Sequence, residues 1–134
     1  MLHKLSILRQ REAAALLKAE QWSGAYYLIG YAVECALKAC VAKQVQRFDF
    51  PDKKLAIEAF THDFEKLVKI AGLEQELQKD LKSSPALELN WAVVKDWSEE
   101  ARYELGITEP QARNLFTACT IRTNGVLGWI KQRW

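Results

Sequence analysis

One stretch of this chain limits what the rest can fold into. On a helical wheel at ~100° per residue, residues 22–43 set Trp22, Tyr26, Ile29, Val33, Ala36, Leu37 and Cys40 on a broad apolar face, and Ala32, Cys35 and Ala39 fill most of the remainder. A helix that is apolar nearly all round needs neighbours on nearly every side, so it belongs at the centre of a bundle. Its longest uncharged part, Gln21 to Val33, falls short of the ~20 residues that span a bilayer. One stripe interrupts the apolar surface: Tyr27, Tyr31, Glu34 and Lys38, at i, i+4, i+7 and i+11. Glu34 and Lys38 stand in the favourable order for an ion pair, worth ~0.2–0.5 kcal/mol if exposed. Tyrosines beside such a pair suit a partly buried polar seam or a subunit interface. The seam is the simpler expectation, and a catalytic role for Glu34 ranks below both. Gly24, Ala25 and Gly30 let a neighbouring helix approach closely.

The remaining segments repeat the helical period, and none alternates as a strand would. A first helix puts Leu5, Leu8, Ala15, Leu16 and Ala19 on one face, and the second runs from a Ser23 cap to about Gln46. Arg47 to Lys54, with Phe48, Phe50 and Pro51, reads as a loop. Thr61 is expected to cap a helix that Gly72 ends. An amphipathic Leu73–Lys82 segment follows, and Ser84-Pro85 opens another through Trp97. Thr108-Glu109-Pro110 launches a last helix from Pro110 to about Lys131. At 134 residues this is one domain, large enough to fold without disulfides. The expected architecture is an all-α, up-and-down bundle of five or six helices spanning residues 1–134.

Charge and composition narrow the function classes. Nineteen Lys+Arg against 17 Asp+Glu leave a net charge of +2, which excludes a polycationic nucleic-acid binder of the histone type. Cys35, Cys40 and Cys119 lack CxxC spacing and sit in apolar helical sequence; buried free thiols in a reducing cytosol are expected, with no metal. Lys4, Arg9, Arg11 and Glu12 interrupt any signal-peptide apolar run. A cytoplasmic location is therefore expected, with no membrane contact and no cofactor. Glycine-rich phosphate loops, HExxH and nucleophile elbows are all absent from the sequence.

Gly24-Ala25-Tyr26-Tyr27-Leu28-Ile29-Gly30-Tyr31-Ala32-Val33-Glu34-Cys35-Ala36-Leu37-Lys38-Ala39, followed by Thr61-His62-Asp63-Phe64-Glu65-Lys66-Leu67, resembles the HEPN (higher eukaryotes and prokaryotes nucleotide-binding) family. The Trp97 to Tyr103 stretch and the closing amphipathic helix follow in the same order, so the similarity spans most of the chain. The resemblance implies a four- or five-helix bundle, commonly a homodimer, in bacteria and archaea. It also implies a small nucleotidyltransferase partner in toxin–antitoxin or defence modules. Catalytic members are metal-independent endoribonucleases that use an Arg followed, after four to six residues, by a His. Here no Arg has a His at that spacing; from Arg102 it leads to Ile107, Thr108 or Glu109.

The remaining candidates are weighed on their own chemistry. His62, beside Asp63 at a helix start, suits local capping and polar packing. Arg102-Tyr103 could hold a phosphate while stacking a base, but Glu99, Glu100 and Glu104 surround it, and a salt-bridged surface is the preferred reading. Arg113, Arg122, Lys131 and Arg133 form no single basic stripe on the last helix. Trp22, Trp91 and Trp97 are expected to pack inside, while Ile121, Trp129 and Trp134 are candidates for a contact surface. The function expected is a non-catalytic HEPN-type module for protein interaction or for nucleotide or RNA association, dimerising through the Tyr27/Tyr31 helix or the last helix. The alternatives are an endoribonuclease with a non-standard site and a small-ligand-binding bundle.

Overall fold

The apolar stretch forms a helix, α2 (Trp22–Arg47), in the computed structural model, which describes residues 1–47 and 60–134. Before it lies α1 (Leu2–Lys18); after it come α3 (Phe64–Ile70), α4 (Glu74–Ser83), α5 (Pro85–Val94), a 3-10 turn (Glu99–Tyr103), α6 (Glu109–Thr120) and α7 (Val126–Lys131). Among the described residues the fold is all helical. α1, α3, the 3-10 turn, α6 and α7 all pack on α2, while α4 and α5 form an outer layer. Leu16 against Gly24, Arg9 over Tyr31, and the Ser6 hydroxyl donating to the Ala32 carbonyl (2.7 Å) make α1 antiparallel to α2. Arg113 over Trp22 and Cys40 beside the Ile130 carbonyl show the C-terminal helices running along α2 in its own direction.

By length and composition α2 could cross a membrane, since an 18-residue stretch of it reaches mean hydropathy 1.3, although its uncharged part alone is too short; 67% of that stretch is buried inside the bundle. Ile29, Val33 and Leu37 of α2 meet Phe64, Leu67, Leu115, Leu127 and Ile130 in the main core. A smaller core of Leu17, Ala25, Ile107 and Ala112 lies at the N-terminal end of α2.

Helix ends follow local chemistry, with several corrections: Ser23, expected as the cap of the second helix, lies inside α2, which begins at Trp22. Asp63, not Thr61, caps α3: its carboxylate accepts from the Lys66 amide at 3.1 Å, while the Thr61 hydroxyl accepts from the Asp63 amide. Gly72 takes φ +74° just beyond that helix, a conformation glycine adopts without steric cost. Ser84 caps α5 with Pro85 at its first position, and Thr108 and Gln111 form a capping box at α6. The expected last helix is two helices, and the segment expected through Trp97 ends at Val94, so the described residues hold seven α-helices rather than five or six. The break falls at Arg122-Thr123-Asn124-Gly125. Asn124 has φ 64°, and a Cβ on Gly125 would lie 2.3 Å from the Ile121 carbonyl oxygen. Of the loop expected over Arg47 to Lys54, Arg47 closes α2 and the remainder lies outside the described residues.

Trp129 is also not the free surface residue expected. Its indole N–H donates to Asp80 at 2.8 Å, and the Arg133 guanidinium lies 3.8 Å from the ring centre. Trp134 packs edge-on against His3. Ile121 is exposed.

Two glycines give opposite expectations. A Cβ on Gly30 would meet the buried Trp97 indole at 2.1 Å, whereas nothing lies within 4 Å of one on Gly128. Gly30→Ala should destabilise by roughly 1–3 kcal/mol through overpacking, and Gly128→Ala should stabilise by roughly 0.5–1 kcal/mol, as read by thermal or denaturant unfolding. The three cysteines are free and buried, and burial pushes Cys35 and Cys40 up to about 11. At pH 8 this leaves roughly 100-fold less thiolate than an exposed thiol would have. Ellman's reagent should therefore label the native protein slowly and the unfolded chain fast.

Candidate functional site

Glu34 sits midway along α2, where its carboxylate is 3% exposed. A buried carboxylate is tolerated only when its oxygens are matched. Both are matched here: Oε2 lies 3.4 Å from Lys38 Nζ one turn on, and Oε1 lies 2.6 Å from His62 Nδ1. The other ring nitrogen, Nε2, faces Glu99 Oε2 at 2.9 Å. One imidazole thus joins α2, the segment before α3 and the 3-10 turn. With both carboxylates ionised, each can only accept, so both contacts are hydrogen bonds only when the ring carries two N–H groups.

Above this trio runs an aromatic stack. Tyr27 lies on Tyr31 (6.1 Å between ring centres) and on Trp97 (6.0 Å), and Trp97 lies nearly parallel to Phe64 at 5.2 Å and 8°. Such pairs contribute about 0.5–1.5 kcal/mol each beyond burial. The Trp97 indole nitrogen is buried with no hydrogen-bond partner, at a cost of about 1–3 kcal/mol that the stack offsets. Gly30 makes room for the ring. Arg9 of α1 closes the far end over Tyr31, at 5.8 Å from its ring centre.

The 3-10 turn then carries Arg102 and Tyr103 outward. The guanidinium stacks on Tyr103 at 4.8 Å, and neither residue is buried; Tyr103 is 71% exposed. Arg102 makes no ion pair among the described residues, so the expected salt-bridged surface is replaced by a cation–π contact. The neighbouring Tyr103, with smaller effects from Tyr27 and Glu99, raises its pKa further. Thr61, His62, Asp63, Lys95, Asp96, Trp97, Ser98 and Glu99 line an open groove of about 440 Å³ beside the turn.

Tyr27, Tyr31, Glu34, Lys38 and His62 are therefore brought together, Asp63 stands next to them as a helix cap, and Arg102 and Tyr103 extend the same turn that holds Glu99. Trp97, Glu99, Phe64 and Arg9 belong to the arrangement although sequence reasoning did not place them in it. No short-range signal places them, because Trp97 meets Gly30 and Glu99 meets His62 only once the chain has folded. No protein-family model, curated protein or solved structure matches this chain, and the site stands on its own geometry. Among the described residues no three His, Cys, Asp or Glu are placed to hold a metal ion.

Burial ranks the two His62 contacts. Glu34 is buried while Glu99 is about a third exposed, so a double-mutant cycle of Glu34→Gln with His62→Gln should give about 1–3 kcal/mol of coupling. The cycle of Glu99→Gln with His62→Gln should give less than about 1 kcal/mol. Equal couplings would contradict the ranking.

Proposed function

We propose that this chain is a non-catalytic binding module of HEPN type, engaging a protein partner through the tip that projects from the 3-10 turn. The observation that carries this reading is His62 gripped at both ring nitrogens by carboxylates. Both ring nitrogens already face carboxylates within hydrogen-bond distance, so neither is turned toward a substrate as acid or base. The proton-transfer group that a ribonuclease would need is spent on holding three elements together.

Beyond it the chain offers Arg102, Tyr103, Leu105 (96% exposed) and Gly106 to solvent. Arginine and tyrosine are residue types enriched as anchors at protein interfaces, and the bare Leu105 adds apolar contact area beside them. Glu99, Glu100 and Glu104 flank them and would repel a phosphate backbone, which favours a protein over RNA or a free nucleotide. A small nucleotidyltransferase, the partner that the family resemblance implies, is the first to test.

The experiment has two arms. Incubated with transfer RNA and messenger RNA, the protein is expected to give no cleavage above background; cleavage that His62→Ala abolishes would overturn the reading in favour of a displaced ribonuclease site. Co-purification with a co-expressed small nucleotidyltransferase should be lost in Tyr103→Ala/Leu105→Ala, with helicity unchanged. A thermal shift with ATP or AMP that those substitutions leave intact would instead point to a small-ligand site.

A further inference from the structure

α5 is apolar on two opposite sides, and only one of them is used. Leu87, Trp91 and Val94 are buried against the bundle. On the outer side Leu89 is 71% exposed and Val93 44% exposed, with Ala86 and Ala92 also open to solvent. Ala86, Leu89 and Val93 recur three and four residues apart, so they line one continuous face. One edge of that face is already tied down, because Asn90 Nδ2 donates to the Asn124 carbonyl at 2.8 Å in the turn between α6 and α7. The other edge carries Glu88 and Lys95, both exposed, and neither is in an ion pair among the described residues.

We infer that this outer face of α5 joins two copies of the chain as an antiparallel, two-fold helix pair. The charges on its free edge select that occupant. At ~100° per residue Glu88 and Lys95 stand on the same edge, two turns apart. A two-fold axis perpendicular to the helices keeps that edge facing its own copy and reverses its direction. With the axis passing between Trp91 and Ala92, Glu88 of each copy lies level with Lys95 of the other, and the pair forms twice. In the same register Leu89 falls beside Val93 of the second copy, so the apolar seam closes on itself. A parallel pair, with its two-fold axis along the helices, would instead set this edge against the Asn90 edge of the other copy and leave both charges without an opposite partner. The face is thus complementary to its own reverse.

This surface does not depend on the binding role given to the tip, and it replaces the two dimer faces expected from the sequence. Tyr27 and Tyr31 are stacked within the fold, and Trp129 is held by Asp80 and Arg133. A seam between two ten-residue helices buries less than the ~1,200 Å² of a standard stable interface, so the dimer is reversible.

Sedimentation equilibrium of the full chain over a range of concentrations tests it. The wild type is expected to show a reversible monomer–dimer equilibrium, and Leu89→Asp to be monomeric throughout. Glu88→Lys and Lys95→Glu singly should each weaken dimerisation by roughly tenfold, since each sets like charges together twice. The double variant should restore it to near the wild-type constant. A wild type that is monomeric at every concentration, a Leu89→Asp dimer as tight as the wild type, or a double variant no better than the singles would each overturn the inference. Circular dichroism confirms folding of each variant; should Leu89→Asp lose helicity, the charge-reversal cycle, confined to exposed side chains, decides alone.

Discussion

Placing a carboxylate in the middle of the most apolar helix imposes a demand that the surrounding elements must meet. An unmatched buried charge costs several kcal/mol, a large part of the ~5–15 kcal/mol by which a domain this size is stable. Lys38 comes from the same helix and is available however the chain folds. His62 is not, because it lies 28 residues away and reaches Glu34 only if the segment before α3 returns to this one level of α2. The pairing therefore sets the register of α3 on α2, and through Glu99 it brings in the 3-10 turn as well. Sliding α3 by one helical turn would leave Phe64 and Leu67 in apolar surroundings but would strand Glu34.

Apolar packing and polar matching divide the work along α2. Its apolar faces could be covered by almost any amphipathic helix, and they supply most of the burial. The stripe of Tyr27, Tyr31, Glu34 and Lys38 accepts few partners: a flat ring against Tyr27, and a donor against Glu34. Trp97 and His62 meet those requirements, and Gly30 makes the ring's approach sterically possible. Tightness and specificity thus come from different residues of one helix.

Features governed by neighbouring residues were legible in the sequence, and features governed by distant ones were not. Ser84-Pro85 and Thr108-Glu109-Pro110 marked helix starts correctly because a cap is made within four residues. The placing of the cap at Thr61 missed by two positions, since Thr61 and Asp63 both carry suitable oxygens and only the geometry chooses between them. The Asn124-Gly125 break was hidden because apolar residues keep a helical spacing on both sides of it, from Leu115 to Ile130. The polar stripe was visible as a seam, yet nothing local could name His62 or Glu99 as its partners. Burial of the three cysteines followed from their apolar neighbours alone.

The small second core has a consequence of its own. Leu17, Ala25, Ile107 and Ala112 hold the N-terminal end of α2 to the start of α6, apart from the larger cluster that holds the rest. A helix of 26 residues, ~39 Å long at 1.5 Å per residue, does not have to release both ends together. Few buried side chains mean a low free energy of local opening. The turn between α1 and α2 and the first turn of α6 should therefore open together and exchange their amide protons ahead of the centre. The molecule can loosen at that end while the carboxylate, the imidazole and the stacked rings stay in place.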